Sequence, residues 1–176
     1  TNRIYLRRFT PTYYVAVNEN IINQSMDAIK ELDCPKFIRA ELAHNFEGAY
    51  KLKGDGQPLF SKEPLDKLYE GFSVTYVCLQ LAYWMGFKVV LLIGVDHKYN
   101  IKGAPNELVS ASEYIGNHFV EDYYMPGEVM NNPDLVRSAE AFELAKAQYR
   151  KSRRRIVNLN PGSGLDVFPK ESWRKW

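Results

Sequence analysis

An α/β fold built on a parallel sheet is what the sequence predicts, on three observations. Apolar runs of strand length alternate with segments of helical period, the order that βαβ units produce. The run Val89-Val90-Leu91-Leu92-Ile93 has no polar break, which predicts a strand covered on both faces, as in a parallel sheet. A nearly all-apolar segment from Ser73 to Met85 enters that run through Gly86, the short helix-to-strand step of such a unit.

Taken in order, Thr12 to Val17 reads as a first strand, β-branched and aromatic after Pro11 and ended by Asn18. Ile21, Ile22, Met26, Ile29 and Leu32 recur at helical spacing from Glu19 to Leu32, and Asp33-Cys34-Pro35 stops that helix. Lys36 to Arg39 follows as a second strand. Gly48, Gly54, Gly56 and Pro58 break the periodicity between Ala43 and Glu63, so a long loop is expected there, with room for a hairpin and of a length often used as a lid. Ser73 to Met85 is apolar apart from Ser73, Thr75 and Gln80, a buried helix capped by Gly86 in the left-handed conformation. Lys88 to Ile93 is the next strand, closed by Gly94-Val95-Asp96. Lys98 to Asn132 is irregular. Pro133 opens a helix from Leu135 to Tyr149, and Arg155 to Leu159 is the last strand before the turn Asn160-Pro161-Gly162-Ser163-Gly164. No internal repeat is visible, and residues 1–176 are expected to form a single domain. Helices on both faces would make the arrangement three-layered and Rossmann-like. Ligands of such sheets bind outside the carboxyl ends of the strands, a rule that selects Asn18, Gly94-Val95-Asp96 and Asn158 to Ser163 as one edge.

Composition narrows the function classes. The chain has 176 residues, 45% hydrophobic and 25% charged, enough for one domain with a core. A formal charge of +2 gives no general attraction to nucleic acid, and none is expected as a partner. For the local basic clusters Arg3, Arg7, Arg8 and Lys151, Arg153, Arg154, Arg155 the plainest reading is solvated surface, favoured for the second, which also suits a helix C-terminus. Cys34 and Cys78 have no metal-ligand spacing, and Cys78 reads as an inert core thiol. No apolar run is long enough to span a bilayer and no signal peptide is visible, so a cytoplasmic setting is expected. The 12 tyrosines mostly pack, and some could line a crevice. The opening Thr1-Asn2-Arg3, without Met, reads as part of a longer protein.

Chemistry concentrates in a few places. Gly94 would let a ligand approach the backbone, and Asp96 could accept from ribose hydroxyls or hold a cation beside a phosphate; a turn Asp capping the next segment explains it equally. Ser73 and Thr75 precede a long helix whose free amides favour an anion, although a plain N-cap accounts for Ser73 more simply. Of the three histidines His44, His97 and His118, His118 stands in the densest polar and aromatic cluster, Asn117 to Tyr124, and is the candidate general base. Glu121 and Asp122 could orient it or hold a metal, and surface exposure suits both. Pro161, Gly162 and Ser163 form a glycine-rich loop after a strand, a weak phosphate loop without a P-loop lysine, and a tight turn explains it almost as well.

The stretch from Ser73 to His97 resembles the MptE-like family, named for an archaeal 6-hydroxymethylpterin diphosphokinase; Asn117-His118-Phe119 and Asn158 to Pro169 are similar to its later motifs. The resemblance extends over essentially the whole chain. More distantly, the layout is similar to bacterial sialyltransferases that use a CMP-sugar and to motility-associated flagellin glycosyltransferases. The resemblance implies a nucleotide beside Gly94-Val95-Asp96, further nucleotide contacts at Asn2, Asn18 and Ser73, and a general base at His118. Members of these families begin with a strand and a Gly-Asn-Gly-Pro-Ser type loop. That segment is absent here, so the first strand of the sheet is expected to be missing.

Three functions follow as expectations. The first is glycosyl transfer from a CMP-type sugar to a glycan or protein acceptor, needing no metal, with His118 deprotonating the acceptor and the Lys98 to Asn132 loop closing over the sugar. The second is pyrophosphoryl transfer from ATP to a pterin, with Asp96 and Asp122 holding Mg²⁺ and Tyr99 or Phe119 stacking on the pterin. The third is a non-catalytic nucleotide-binding domain. Homo-oligomers are compatible with each.

Overall fold

The computed structural model describes residues 3–7, 9–99, 103–111 and 123–176. It is a mixed helix and strand structure with small parallel sheets, broadly α/β. The chain divides into two compact units, one drawn from residues 1–54 and 100–133, the other from 55–99 and 134–176.

In the first unit, β1 (Tyr14–Ala16), β2 (Lys36–Arg39) and β3 (Tyr50–Leu52) form a parallel sheet in that order. Val15 lies across from Phe37, and Phe37 from Tyr50, whose rings stack at 4.8 Å. Strand β3 falls inside the stretch whose glycines predict a loop or hairpin: three residues are too few for periodicity to register. Tyr14, Ala16, Ile22, Ile29, Ile38 and Phe46 make this unit's core. The expected Glu19–Leu32 helix is two short ones, α1 (Glu19–Gln24) and α2 (Met26–Lys30), broken at Ser25 with φ −127°. Serine interrupts helices readily, and beside it Gln24 is drawn aside, donating to the Val129 carbonyl at 3.1 Å. The stretch predicted as irregular contains an antiparallel pair, β7 (Leu108–Ser110) with β8 (Val129–Asn131).

Arg3 corrects the reading of its cluster as solvated. It is 4% exposed, pairs with Glu128 at 2.8 Å, donates to the Tyr123 carbonyl and lies 4.9 Å from the Tyr124 ring centroid. Burial alone would lower its pKa, but the bond to Glu128 and neighbouring charges leave it raised. Glu128 is likewise opposed by burial, yet Arg3 and the Met125 amide hold it below the usual carboxylate range.

The second unit holds the βαβ pattern. Helix α3 (Val74–Trp84) leads through Gly86, φ +88°, into β6 (Val89–Leu92), and α4 (Leu135–Lys151) leads into β9 (Arg155–Asn158). Strands β6 and β9 are parallel, with Leu92 across from Asn158. A further pair, β4 (Gly54–Asp55) with β5 (Leu68–Tyr69), precedes α3. Tyr76, Leu79, Leu92, Phe142, Tyr149 and Ile156 pack together between helices and strands, and Phe60, Tyr76, Tyr83 and Tyr149 meet edge to face. Much of the tyrosine excess is therefore structural. Cys78 is half-buried on α3 rather than enclosed in the core, and burial of its thiol pushes the pKa up to about 11.

Two expectations fail in this unit. Strand β6 is not fully covered on both faces: Leu92 is buried, but Val89, Val90 and Leu91 are only half-buried, and Ile93 just beyond the strand is 79% exposed. Among the described residues its only strand neighbour is β9, too narrow a sheet to bury both sides. The basic cluster from Lys151 to Arg155 is not all solvated either. Arg154 lies 4.2 Å from the Tyr83 ring centroid and donates to the Tyr83 carbonyl at 2.5 Å, and Arg155 lies 4.7 Å from a Trp176 ring.

Candidate functional site

Parallel pairing of β6 with β9 sends both chains out at one end, and the residues that follow interlock there. After β6, Gly94 turns the backbone with φ +70° and His97 takes φ +48°, the left-handed region that a histidine enters at some cost. After β9, Asn160 to Leu165 fold against that turn. The Asn160 side-chain amide donates to Asp96 Oδ1 at 2.5 Å. The buried Ser163 hydroxyl reaches the carbonyls of Val95 and Asp96 at 2.7 and 3.1 Å. Gly164 N donates to the Asp96 carbonyl at 2.8 Å. A Cβ on Gly164 would lie 2.8 Å from the His97 carbonyl oxygen, so only glycine permits this approach.

The loop's own amides are already engaged. Asn160 N donates to Asn158 Oδ1, Gly162 N to Asn160 Oδ1, Ser163 N to the Asn160 carbonyl and Leu165 N to Ser163 Oγ. Pro161 has no amide proton. The segment Asn160 to Leu165 thus braces the Asp96 turn, and the polar groups it offers at the edge are side chains.

Both helices begin at this same end. Ser73 caps α3, its hydroxyl accepting from Thr75 N at 3.2 Å, the plain N-cap arrangement. Asp134 caps α4, accepting from Arg137 N at 3.0 Å and from Arg137 Nε at 2.6 Å. The Arg137 guanidinium lies 4.2 Å from the ring centroid of Phe72, the residue before Ser73, and so links the two helix starts. His97 Nε2 and Ser138 Oγ are 3.0 Å apart, tying the Asp96 turn to α4. Burial holds the His97 imidazole below its usual pKa, partly opposed by the Leu135 carbonyl. Tyr99, two residues on, is raised by burial and by the Asp96 charge.

Of the residues singled out in the sequence, Ser73, Thr75, Gly94, Val95, Asp96, Pro161, Gly162 and Ser163 all belong to this unit. Direct bonds join Val95 and Asp96 to Asn160, Ser163 and Gly164. Asn18 belongs to the other unit. It caps α1, accepting from Ile21 N at 3.1 Å, and its amide donates to Asn131 Oδ1 at 3.4 Å. His44 is exposed. Asn2 and His118 lie outside the described residues, as do Asn117, Phe119, Glu121 and Asp122. Asn160 lies in the Asn158 to Ser163 edge that the sequence selects, but its bond to Asp96 is not legible there, and neither Arg137 nor Ser138 is marked in the sequence. An Asn directly before Pro-Gly at a strand end was a signal for a side chain folded back on its own turn. Arg137, three residues after a capping Asp134, was a signal for a fixed guanidinium.

No protein-family model, curated protein or solved structure matches the chain.

Proposed function

We propose that this chain is a nucleotide-dependent transferase, with the nucleotide at the carboxyl ends of β6 and β9 and a sugar from a CMP-type donor as the transferred group. The observation that carries the reading is Asp96: an exposed carboxylate, fixed by Asn160 at 2.5 Å, on a turn braced through its own backbone. It stands where parallel sheets present ligand-binding groups. One carboxylate oxygen takes Asn160, and the other is suited to ribose hydroxyls, which donate well to an ionised carboxylate. Val95, Gly94 and Ser163 act here by shaping the turn, and Ser73 with Thr75 closes the same end as a helix cap. The Rossmann-like, three-layer arrangement expected from the sequence belongs to this proposal. The assignment of His118 as general base comes from the family resemblance.

Pyrophosphoryl transfer from ATP is the competing chemistry, and it would ask Asp96 to hold Mg²⁺. Among the described residues no three His, Cys, Asp or Glu side chains group as metal ligands. Asp166 is occupied by Lys170 at 2.6 Å. Asp96 would then be the protein ligand, with phosphates and water completing the shell, a common arrangement for Mg²⁺.

Thermal-shift titration with CMP, CDP, UDP, GDP and ATP, each with and without Mg²⁺, tests the reading. Stabilisation by CMP that survives EDTA is the expected result. Stabilisation by ATP only, abolished by EDTA, selects the diphosphokinase. CMP binding without transfer to any glycan or protein acceptor selects a non-catalytic binding domain. A melting temperature indifferent to every nucleotide at millimolar concentration refutes nucleotide dependence altogether.

A further inference from the structure

We propose that Arg137 is the phosphate anchor of this edge, an inference that rests on the nucleotide reading and adds to it a residue and a ligand chemistry. The Arg137 side chain is 52% exposed, yet it is held from two sides. Nε donates to Asp134 Oδ2 at 2.6 Å, and the guanidinium carbon lies 4.2 Å from the Phe72 ring centroid. Among the described residues, no hydrogen bond engages either Nη group. A guanidinium clamped at Nε and stacked on a ring leaves its Nη fork orientated and open, the geometry that fits phosphate oxygens.

A purely structural ion pair explains less. The Asp134 carboxylate caps α4 by accepting from Arg137 N at 3.0 Å and pairs with Arg137 through Nε alone at 2.6 Å, so the ion pair leaves the Nη groups unused and does not by itself account for the stacking on Phe72. Phe72 itself has φ +54°, an unfavourable conformation for an aromatic residue, and that conformation accompanies its ring's place beneath the guanidinium.

Position supports the division of labour. His97 Nε2 and Ser138 Oγ are 3.0 Å apart; Asp96 precedes one partner and Arg137 the other. Asp96 repels phosphate and suits hydroxyl donors, whereas Arg137 does the opposite. One nucleotide can therefore present its ribose to Asp96 and its phosphate to Arg137. The starts of α3 and α4, with their positive partial charge, lie at the same end and favour the anion in that orientation.

Calorimetric titration of the full chain with CMP and, separately, with inorganic pyrophosphate tests the assignment in wild type, Arg137→Ala, Arg137→Lys and Asp96→Asn, with circular dichroism verifying the fold of each. Arg137→Ala should weaken both probes about 10-fold or more, the size of a lost charge-assisted pair. Arg137→Lys should recover part of that loss, since it keeps the charge without the fork. Asp96→Asn should weaken CMP but not pyrophosphate, whose binding should hold or tighten once the repelling charge is gone. If CMP binds wild type and Arg137→Ala alike, the anchor is wrong and the nucleotide reading stands. If pyrophosphate binds through Arg137 but no nucleotide binds, the nucleotide reading falls and the anion site remains. If neither probe binds wild type, both fall.

Discussion

Replacing Gln80 by Leu should destabilise the protein by about 2–4 kcal/mol, although the sequence makes it look like a harmless change on an apolar helix. Gln80 is fully buried on α3. Its Oε1 accepts from Ser61 N at 3.0 Å and Tyr69 N at 3.1 Å, and its Nε2 donates to the carbonyls of Tyr69 at 2.7 Å and Tyr76 at 3.3 Å. One side chain thus satisfies the backbone of the segment that runs from Ser61 to Tyr69 over the helix. Leucine fits the space but strands two amide donors, each worth roughly 1–3 kcal/mol when left unpaired. Both donors belong to half-buried residues, which places the sum toward the lower part of that range, and the added apolar burial offsets some of it. For a chain of this size the melting temperature should drop by roughly 4–16 °C. Urea unfolding followed by circular dichroism gives the total, and hydrogen exchange of the Ser61 and Tyr69 amides localises it. A variant within about 0.5 kcal/mol of wild type, with those two amides still protected, would refute the claim that Gln80 holds the segment down.

Four further outcomes are expected. Tyr149→Phe should cost about 1 kcal/mol by removing the buried bond that its hydroxyl donates to the Leu79 carbonyl at 2.8 Å, measurable by urea unfolding. Burial depresses the His97 pKa in the native state, so as pH falls through about 6.5 the unfolded chain takes up a proton that the native one resists. Stability should decline over that window and level off below the native pKa; His97→Asn, which tolerates a positive φ, should flatten the decline in unfolding curves from pH 8 to 5. Gly164→Ala should displace the Asp96 turn, because the new methyl meets the His97 carbonyl oxygen at 2.8 Å; the Asp96 and Asn160 resonances should shift and CMP affinity should fall. Arg3→Met should cost about 3 kcal/mol or more by leaving the Glu128 carboxylate without its cation, and the deficit against wild type in chemical denaturation should shrink at acid pH, where Glu128 is neutral.

The second unit was the more legible part of the sequence. Helix α3 and strand β6 announce themselves because a long apolar helix, a left-handed glycine and an unbroken aliphatic run each carry a local signal. The meeting of Asp96 with Ser163 followed from the rule that parallel strands deliver their loops to one end. What stayed hidden depended on side chains that act at a distance. Arg3 reads as one more surface cation, because nothing in its neighbourhood in sequence mentions Glu128 or Tyr123. Asn160 reads as a turn residue, Gln80 as an exception on an apolar helix, and Arg137 as ordinary helix surface. Each is defined by a partner that only the fold supplies. The coverage of β6 escapes the sequence for the complementary reason: hydrophobicity states what a strand could bury, and the number of strands beside it decides what it does bury.

Among the described residues β6 pairs with β9 alone, and that has a practical consequence. From Val89 to Ile93 there is neither a charge nor a proline to discourage another extended chain from annealing there, and Ile93 already stands in water. Material concentrated for spectroscopy will tend to clump through this strand. A lysine at position 93 should keep it dispersed with little disturbance to the packed interior.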